Sequence, residues 1–161
     1  MLSIKAKIIP LLCLFILFGC QKNDIEIFNG KNTSIEKLKG QWIVINYWAD
    51  WCAPCIKELP ELFEFAQENK DTLVYVFNFD ELDAEDLAPV AKKFKISLPS
   101  LISHPREIWG IQTPPAVPAT FFINPKGEVV KSLFRPQTKD SLNSILEVIS
   151  FTCTLTYTRN Y

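Results

Sequence analysis

Apolar and polar positions follow two periods along this chain. Residues 42–48 (WIVINYW) and 73–79 (LVYVFNF) are apolar runs rich in β-branched and aromatic side chains, the pattern of strands buried on both faces. Residues 119–123 (ATFFI) and 129–134 predict two more strands, joined by a turn at Asn124-Pro125-Lys126-Gly127. Residues 25–28 alternate and predict a first strand, ended by Asn29-Gly30. Helical spacing appears elsewhere. From Ala53 to Asn69, Leu59, Leu62, Phe63 and Ala66 fall on one face, and Pro60 should kink the helix. Thr33 or Ser34 can cap a short helix through Leu38, closed by Gly40. Asp83 caps a helix covering Leu87, Val90, Ala91 and Phe94. Residues 138–149 predict a closing helix with Leu142, Ile145, Leu146 and Ile149 inward. Residues 96–118 are Pro-rich and predict irregular chain with one helical turn near residues 106–109.

The order is strand–helix–strand–helix, then a hairpin, then a helix. Helical crossovers imply parallel strands, and the hairpin adds antiparallel ones. The expected fold class is α/β, with a mixed central sheet and helices on both faces. One domain over residues 25–150 accommodates these elements, and residues 151–161 read as a tail. A chain of 161 residues can bury about two-thirds of its unfolded surface, so it needs no covalent staple to fold.

The first twenty residues break this pattern. Lys5 and Lys7 precede an almost wholly apolar stretch over residues 8–18. As a helix it would extend about 18 Å, short of a hydrocarbon core of about 30 Å. It reads as a signal peptide over residues 1–19. Leu17-Phe18-Gly19-Cys20 resembles the bacterial lipobox, which implies acylation of Cys20, a short tether over residues 20–24 and a membrane anchor. An uncleaved N-terminal anchor is the alternative. Either places the domain outside the cytoplasm. Loss of residues 1–19 leaves fifteen basic against eighteen acidic side chains, a net −3. No basic patch points to a nucleic-acid partner.

Five cysteines remain to be placed. Cys13 leaves with the signal, Cys20 carries lipid, and Cys153 reads as a buried small hydrophobe. Cys52 and Cys55 form a C-x-x-C at the junction of a strand and a helix. The attacking species in disulfide exchange is a thiolate, and a helix N-terminus favours it through unpaired N–H groups and partial positive charge. Cys52 is therefore the candidate nucleophile. Cys55, three residues on along the same helical face, can attack the mixed disulfide. Pro54 suits the first turn, where its missing N–H costs nothing. Half of a zinc site is the alternative, but only His104 and Cys153 remain as further ligands. A structural disulfide is another.

Residues 46–55 (NYWADWCAPC) resemble the thioredoxin superfamily signature, and residues 117–123 (VPATFFI) resemble the segment that holds its cis-proline. The resemblance runs from about residue 38 to residue 149. It implies a thioredoxin-like fold, a cis bond before Pro118, and substrate backbone held at Val117 in the manner of an added strand. Cytoplasmic thioredoxins carry Asp six residues before the first Cys, where this chain has Asn46. Glu58-Leu59-Pro60 after the second Cys is similar to the C-x-x-C-x-x-E-x-P run of the TlpA/ResA group. Those are exported, membrane-tethered disulfide reductases, several serving cytochrome c maturation.

That group implies Glu58 close to the thiols, protein disulfides as substrates, a membrane thiol carrier as electron donor, and no metal or organic cofactor. A partly buried carboxyl has a raised pKa and can exchange protons with Cys55. A solvated helix residue is the alternative for Glu58. Trp51 reads as a rim that screens the thiols, Trp48 and Tyr47 as packing, and His104 as a surface loop residue. Glu81, Asp83, Glu85 and Asp86 read as a solvated face complementing a helix dipole. Two other functions share the fold: a thiol peroxidase, and a Sco-type copper chaperone, which would use C-x-x-x-C and a distal His.

Overall fold

In Trp42–Trp48 every side chain but Asn46 is β-branched or aromatic, and the segment forms a strand with all but Trp42 buried. It lies inside a six-stranded sheet. The structure, a computed structural model, describes residues 24–158, and side chains as far as Thr152. The expected leader, Cys13, Cys20 and most of the tether lie outside the described residues, as does the Cys153 side chain. In chain order the elements are β1 (Ile27–Phe28), α1 (Ile35–Leu38), β2 (Trp42–Trp48), α2 (Ala53–Glu68), β3 (Thr72–Asn78) and α3 (Ala84–Phe94), followed by β4 (Ser100–Leu101), α4 (Pro105–Trp109), β5 (Ala119–Ile123), β6 (Val129–Leu133) and α5 (Lys139–Thr158).

The sheet order is β1-β4-β3-β2-β5-β6. β2, β3 and β4 run parallel, while β5, β6 and β1 pair antiparallel with their neighbours. The period of two along β2 then sorts the core. Val44 and Trp48 face a layer built from Leu59, Leu62 and Phe65 of α2, Leu87 of α3 and Leu142 of α5. Ile43, Ile45 and Tyr47 face the opposite layer, with Leu38, Phe77, Phe121 and Ile111. Tyr47 packs edge-on against Phe77 and Phe121, as a packing residue should. Helices cover both faces.

Three details depart from the sequence expectations. First, β4 interrupts the stretch expected to be irregular. Two residues carry no periodicity of their own; β4 exists because β3 and β1 supply backbone partners on either side. The first strand shrinks to β1, although Ile25 still forms an isolated bridge to Thr33 and is buried like Ile27.

Second, the inward stripe of α2 is Cys55, Glu58, Leu59, Leu62 and Phe65. Phe63 is 39% exposed and lines a surface groove with Pro60 and Phe94. Spacing of three and four from Cys55 leads to Phe65; counting from Leu59 alone leads one step astray. α2 spans Pro60, as the expected helix did, and Pro60 sits on the exposed side where water can serve the carbonyl its ring cannot. Third, α5 runs on to Thr158, through the stretch expected to be a tail.

α5 is held against α2 by polar contacts. Glu61 Oε2 accepts the Lys139 backbone N–H at 2.8 Å, and Lys139 Nζ pairs with Glu68 at 2.7 Å. In the β5–β6 turn Gly127 takes φ +85°, which only glycine adopts without strain.

The two phenylalanines of α2 separate the observed packing from the expected one. Phe65→Ala should cost about 3–5 kcal/mol in a denaturant melt, and Phe63→Ala about 1 or less. The reverse order would contradict the burial described.

Candidate active site

Where β2 ends, the chain turns sharply: the Cys52 N–H donates to the Ala49 carbonyl at 3.2 Å. Cys52 then stands at the N-cap of α2 with extended backbone, φ −90° and ψ 93°. Its Sγ accepts the Cys55 N–H at 3.3 Å. A helix begins with N–H groups that have no intrahelical partner, and an N-cap side chain ordinarily supplies oxygen to one of them. Here sulfur fills that role. A donor aimed at Sγ and the positive end of the helix both favour the thiolate over the thiol.

Cys52 and Cys55 are joined in a disulfide, with Sγ–Sγ 2.12 Å and Cα–Cα 5.3 Å. Their access differs. Cys52 retains 5% exposure and Cys55 only 1%.

The Val117–Pro118 bond is cis, as the resemblance implied. Val117 O lies 3.6 Å from Cys52 Sγ, and β5 begins directly afterwards. Pro118 is buried and Val117 half-buried. Trp51, directly before Cys52, is 63% exposed. Its indole N–H donates to Asp80 Oδ2 at 2.8 Å, and its ring meets Phe79 edge-on at 6.1 Å. The turn after β3 thus props the tryptophan upright.

Glu58 follows Cys55 by three residues on the buried face of α2 and is 2% exposed. Oε1 accepts the Gln137 backbone N–H at 3.0 Å; Oε2 has no hydrogen-bond partner. Burial pushes the carboxyl up to about 7. The Gln137 N–H, the Asn46 amide and the Thr120 hydroxyl pull the other way, and burial wins. Neither Asn46 nor Thr120 closes a hydrogen bond on Oε2, so their hold on the carboxyl is weaker than that of Gln137. A cleft of about 340 Å³, bounded by Pro54, Lys57, Pro136 and Gln137, reaches Glu58 from solvent.

Cys52, Cys55, Glu58, Val117, Pro118 and Trp51 therefore lie around one helix mouth. Gln137 and Asp80 join them without having been singled out in the sequence. A Gln and an Asp in loops far along the chain give no local signal. Asn46 stood out only as the residue where cytoplasmic thioredoxins carry Asp, and Thr120 was not singled out.

His104 is not the surface loop residue expected. It caps α4, with Nδ1 accepting the Arg106 N–H at 3.0 Å. Its side chain is 14% exposed, with Nε2 3.2 Å from Glu81 Oε1, and the ring packs against Phe77. A capping imidazole is drawn inward by the backbone donor that it serves. Asp83 caps α3 by accepting from Glu85 N and Asp86 N.

Residues 18–132 match the model of the AhpC/TSA family. The chain is 30% identical over 128 residues to the thiol-disulfide oxidoreductase ResA of a Bacillus cereus strain, spanning 79% of this chain and 72% of that protein. Among solved structures it is similar to StoA from Bacillus subtilis, at TM-score 0.59 and 24% identity, covering 77% of this chain and 97% of that one. It is also similar to a thiol:disulfide interchange protein of the thioredoxin family from Chlorobium tepidum TLS, at TM-score 0.60 and 22% identity, covering 77% and 90%. The fold is thioredoxin-like.

The raised carboxyl makes stability depend on pH. Folding lifts Glu58 from 4.5 to about 7, so between those values the folded chain binds the proton more tightly than the unfolded chain. Stability from this residue is full below about 4.5 and is lost as pH rises through about 7, by about 3 kcal/mol in all. Denaturant melts across that window should show this fall in the native protein and its absence in Glu58→Gln. Parallel curves would contradict it.

Proposed function

The chain belongs to the AhpC/TSA family and is a thiol-disulfide oxidoreductase, and from that premise we propose that it reduces protein disulfides in a bacterial cell envelope. The observation that carries this reading is the unequal pair at the mouth of α2. One sulfur accepts a helix N–H and borders Val117; the other is sealed behind it next to a carboxyl with a raised pKa.

The reaction runs in two exchanges. Cys52 thiolate attacks a client disulfide, forms a mixed disulfide and releases one client thiolate. Glu58 carboxylate then takes the Cys55 proton. Cys55 thiolate attacks Cys52 Sγ, closing the Cys52–Cys55 bond and releasing the second client thiolate. Two electrons pass from the pair to the client, and the proton on Glu58 leaves through the cleft beside Pro54 and Gln137. Val117 and Pro118 hold the client backbone next to Cys52, and the exposed Trp51 forms a rim beside it. Glu58 serves the exchange in both directions, taking the Cys55 proton in one and returning it in the other, so the direction is read from the reduction potential.

Recharging needs a dithiol donor, which a membrane-embedded thiol carrier would supply. Acylation at Cys20 would hold the domain at the membrane surface, and cytochrome c maturation is the process such a reductase would serve. No helix among the described residues is long and apolar enough to cross a membrane. A peroxidatic thiol would stand alone or pair with a distant Cys; the bonded Cys52–Cys55 pair favours dithiol–disulfide exchange.

Insulin reduction by the reduced protein should fall to background in Cys52→Ser. The reduction potential of the pair should lie near thioredoxin's, about −270 mV. A potential near about −120 mV, that of a strong oxidant, would reverse the assigned direction. Peroxide consumption surviving where insulin reduction is absent would assign a peroxidase instead.

A further inference from the structure

Among the described residues three non-glycine side chains sit at positive φ: Asn29, Glu81 and Lys95. Two have ordinary reasons. Asparagine tolerates the left-handed region, and Lys95 closes α3, its N–H donating back to the Ala91 and Lys92 carbonyls. Glu81, at φ +56°, has neither reason. It lies in the connection between β3 and α3, where glycine would take the same conformation without strain. What its side chain does there is reach His104.

His104 is a fixed point. Its Nδ1 accepts the Arg106 N–H at 3.0 Å, and its ring packs against Phe77 of β3 with centroids 4.9 Å apart. A neutral imidazole whose Nδ1 accepts carries its proton on Nε2. That atom is buried, closes no hydrogen bond, and lies 3.2 Å from Glu81 Oε1. The attraction is that of an N–H dipole for a carboxylate. It ties the exposed Glu81 to the start of α4.

The tie matters because of what the turn over residues 78–81 carries. The turn closes on Asn78, whose carbonyl accepts from Glu81 N at 3.1 Å and whose Oδ1 accepts from Asp80 N at 3.0 Å. Near its start the Phe79 N–H donates to the Trp48 carbonyl at 2.8 Å. Both props of Trp51 come from this turn: the Asp80 carboxylate on the indole N–H and the Phe79 ring, edge-on. An exposed indole held by an exposed aspartate keeps its orientation only while the turn beneath that aspartate is fixed. The sheet fixes one end of the turn, and Glu81 with His104 fixes the other.

We propose that Glu81 and His104 are positioning residues: their contact fixes the turn after β3 so that Asp80 and Phe79 hold Trp51 in place against a peptide client at Cys52. The proposal rests on Trp51 touching the client, and it adds no step to the exchange.

The test pairs a spectroscopic readout with a kinetic one. Glu81→Gly removes the carboxylate and suits the backbone. His104→Asn keeps an oxygen to cap α4 but is too short to reach residue 81. In either variant the Trp51 indole N–H, identified in proton NMR by its absence from Trp51→Phe, should exchange with water about fivefold faster. The rate constant for reducing a disulfide-bonded peptide should fall by about threefold or more, while that for bis(2-hydroxyethyl) disulfide, too small to span from Cys52 to the indole, stays unchanged. The double variant should do no more than either single one, because both remove the same contact. Melting temperatures confirm folding, and either variant suffices if the other is not folded.

Unchanged indole exchange in the variants, or effects of the two that add in full, would overturn the proposal. Trp51→Ala distinguishes the two claims. If it slows the peptide reaction while Glu81→Gly and His104→Asn do not, this proposal fails and Trp51 keeps its role. If Trp51→Ala leaves the peptide reaction unchanged, the client role of Trp51 fails and the proposal with it.

Discussion

A sulfur atom closes the first turn of α2, and the chemistry depends on that one contact. The Cys55 N–H points at Cys52 Sγ at 3.3 Å, where a helix would ordinarily find a serine or aspartate oxygen. The same donor that starts the helix is thus aimed at the atom that has to carry negative charge. Position follows from the sheet. β2 is central, paired along its length with β3 and over most of it with β5, and its end delivers Cys52 to the sheet edge where β5 begins with Pro118 just before it. A strand anchored on two sides is a rigid mount, and a rigid mount is what a reacting atom needs.

The cost of the arrangement is carried beneath the sulfurs. Glu58, Asn46, Thr120 and Gln137 are all nearly inaccessible, in a layer otherwise filled by Leu59, Leu62, Phe65 and Phe122. A carboxyl there destabilises the fold whenever it is ionised. The chain keeps it where it can receive the proton of the more deeply buried thiol. Glu58 also joins distant parts of the molecule, since its Oε1 accepts from the turn that opens α5. With Glu61 holding the Lys139 N–H one turn further on, two carboxylates of α2 position the start of the last helix. Structure and proton transfer share the same side chains.

Much of this was legible beforehand, for identifiable reasons. β2 and β5 begin and end as expected because their apolar runs are bounded by chain that cannot continue them: Ala49-Asp50 after one, cis-Pro118 before the other. The C-x-x-C and Val117–Pro118 were legible because each is a local motif. What escaped depends on contacts distant in sequence. β4 has no pattern of its own and is held by its neighbours. Phe63 and Phe65 both satisfy a helical spacing, and only the position of the sheet chooses between them. His104 is drawn inward by a backbone donor two residues later, and Gln137 acts through its backbone N–H, which no side-chain reading detects.

The account assigns unequal duties to two cysteines, and trapping a client tests that directly. Reduced Cys55→Ser and Cys52→Ser proteins would each be offered a disulfide-bonded peptide, and the covalent adducts identified by mass. The account predicts a stable mixed disulfide on Cys52 in the first protein and almost none on Cys55 in the second, given 5% against 1% exposure and the helix donor aimed at Cys52 alone. Equal adducts on both sulfurs, or a preference for Cys55, would contradict it.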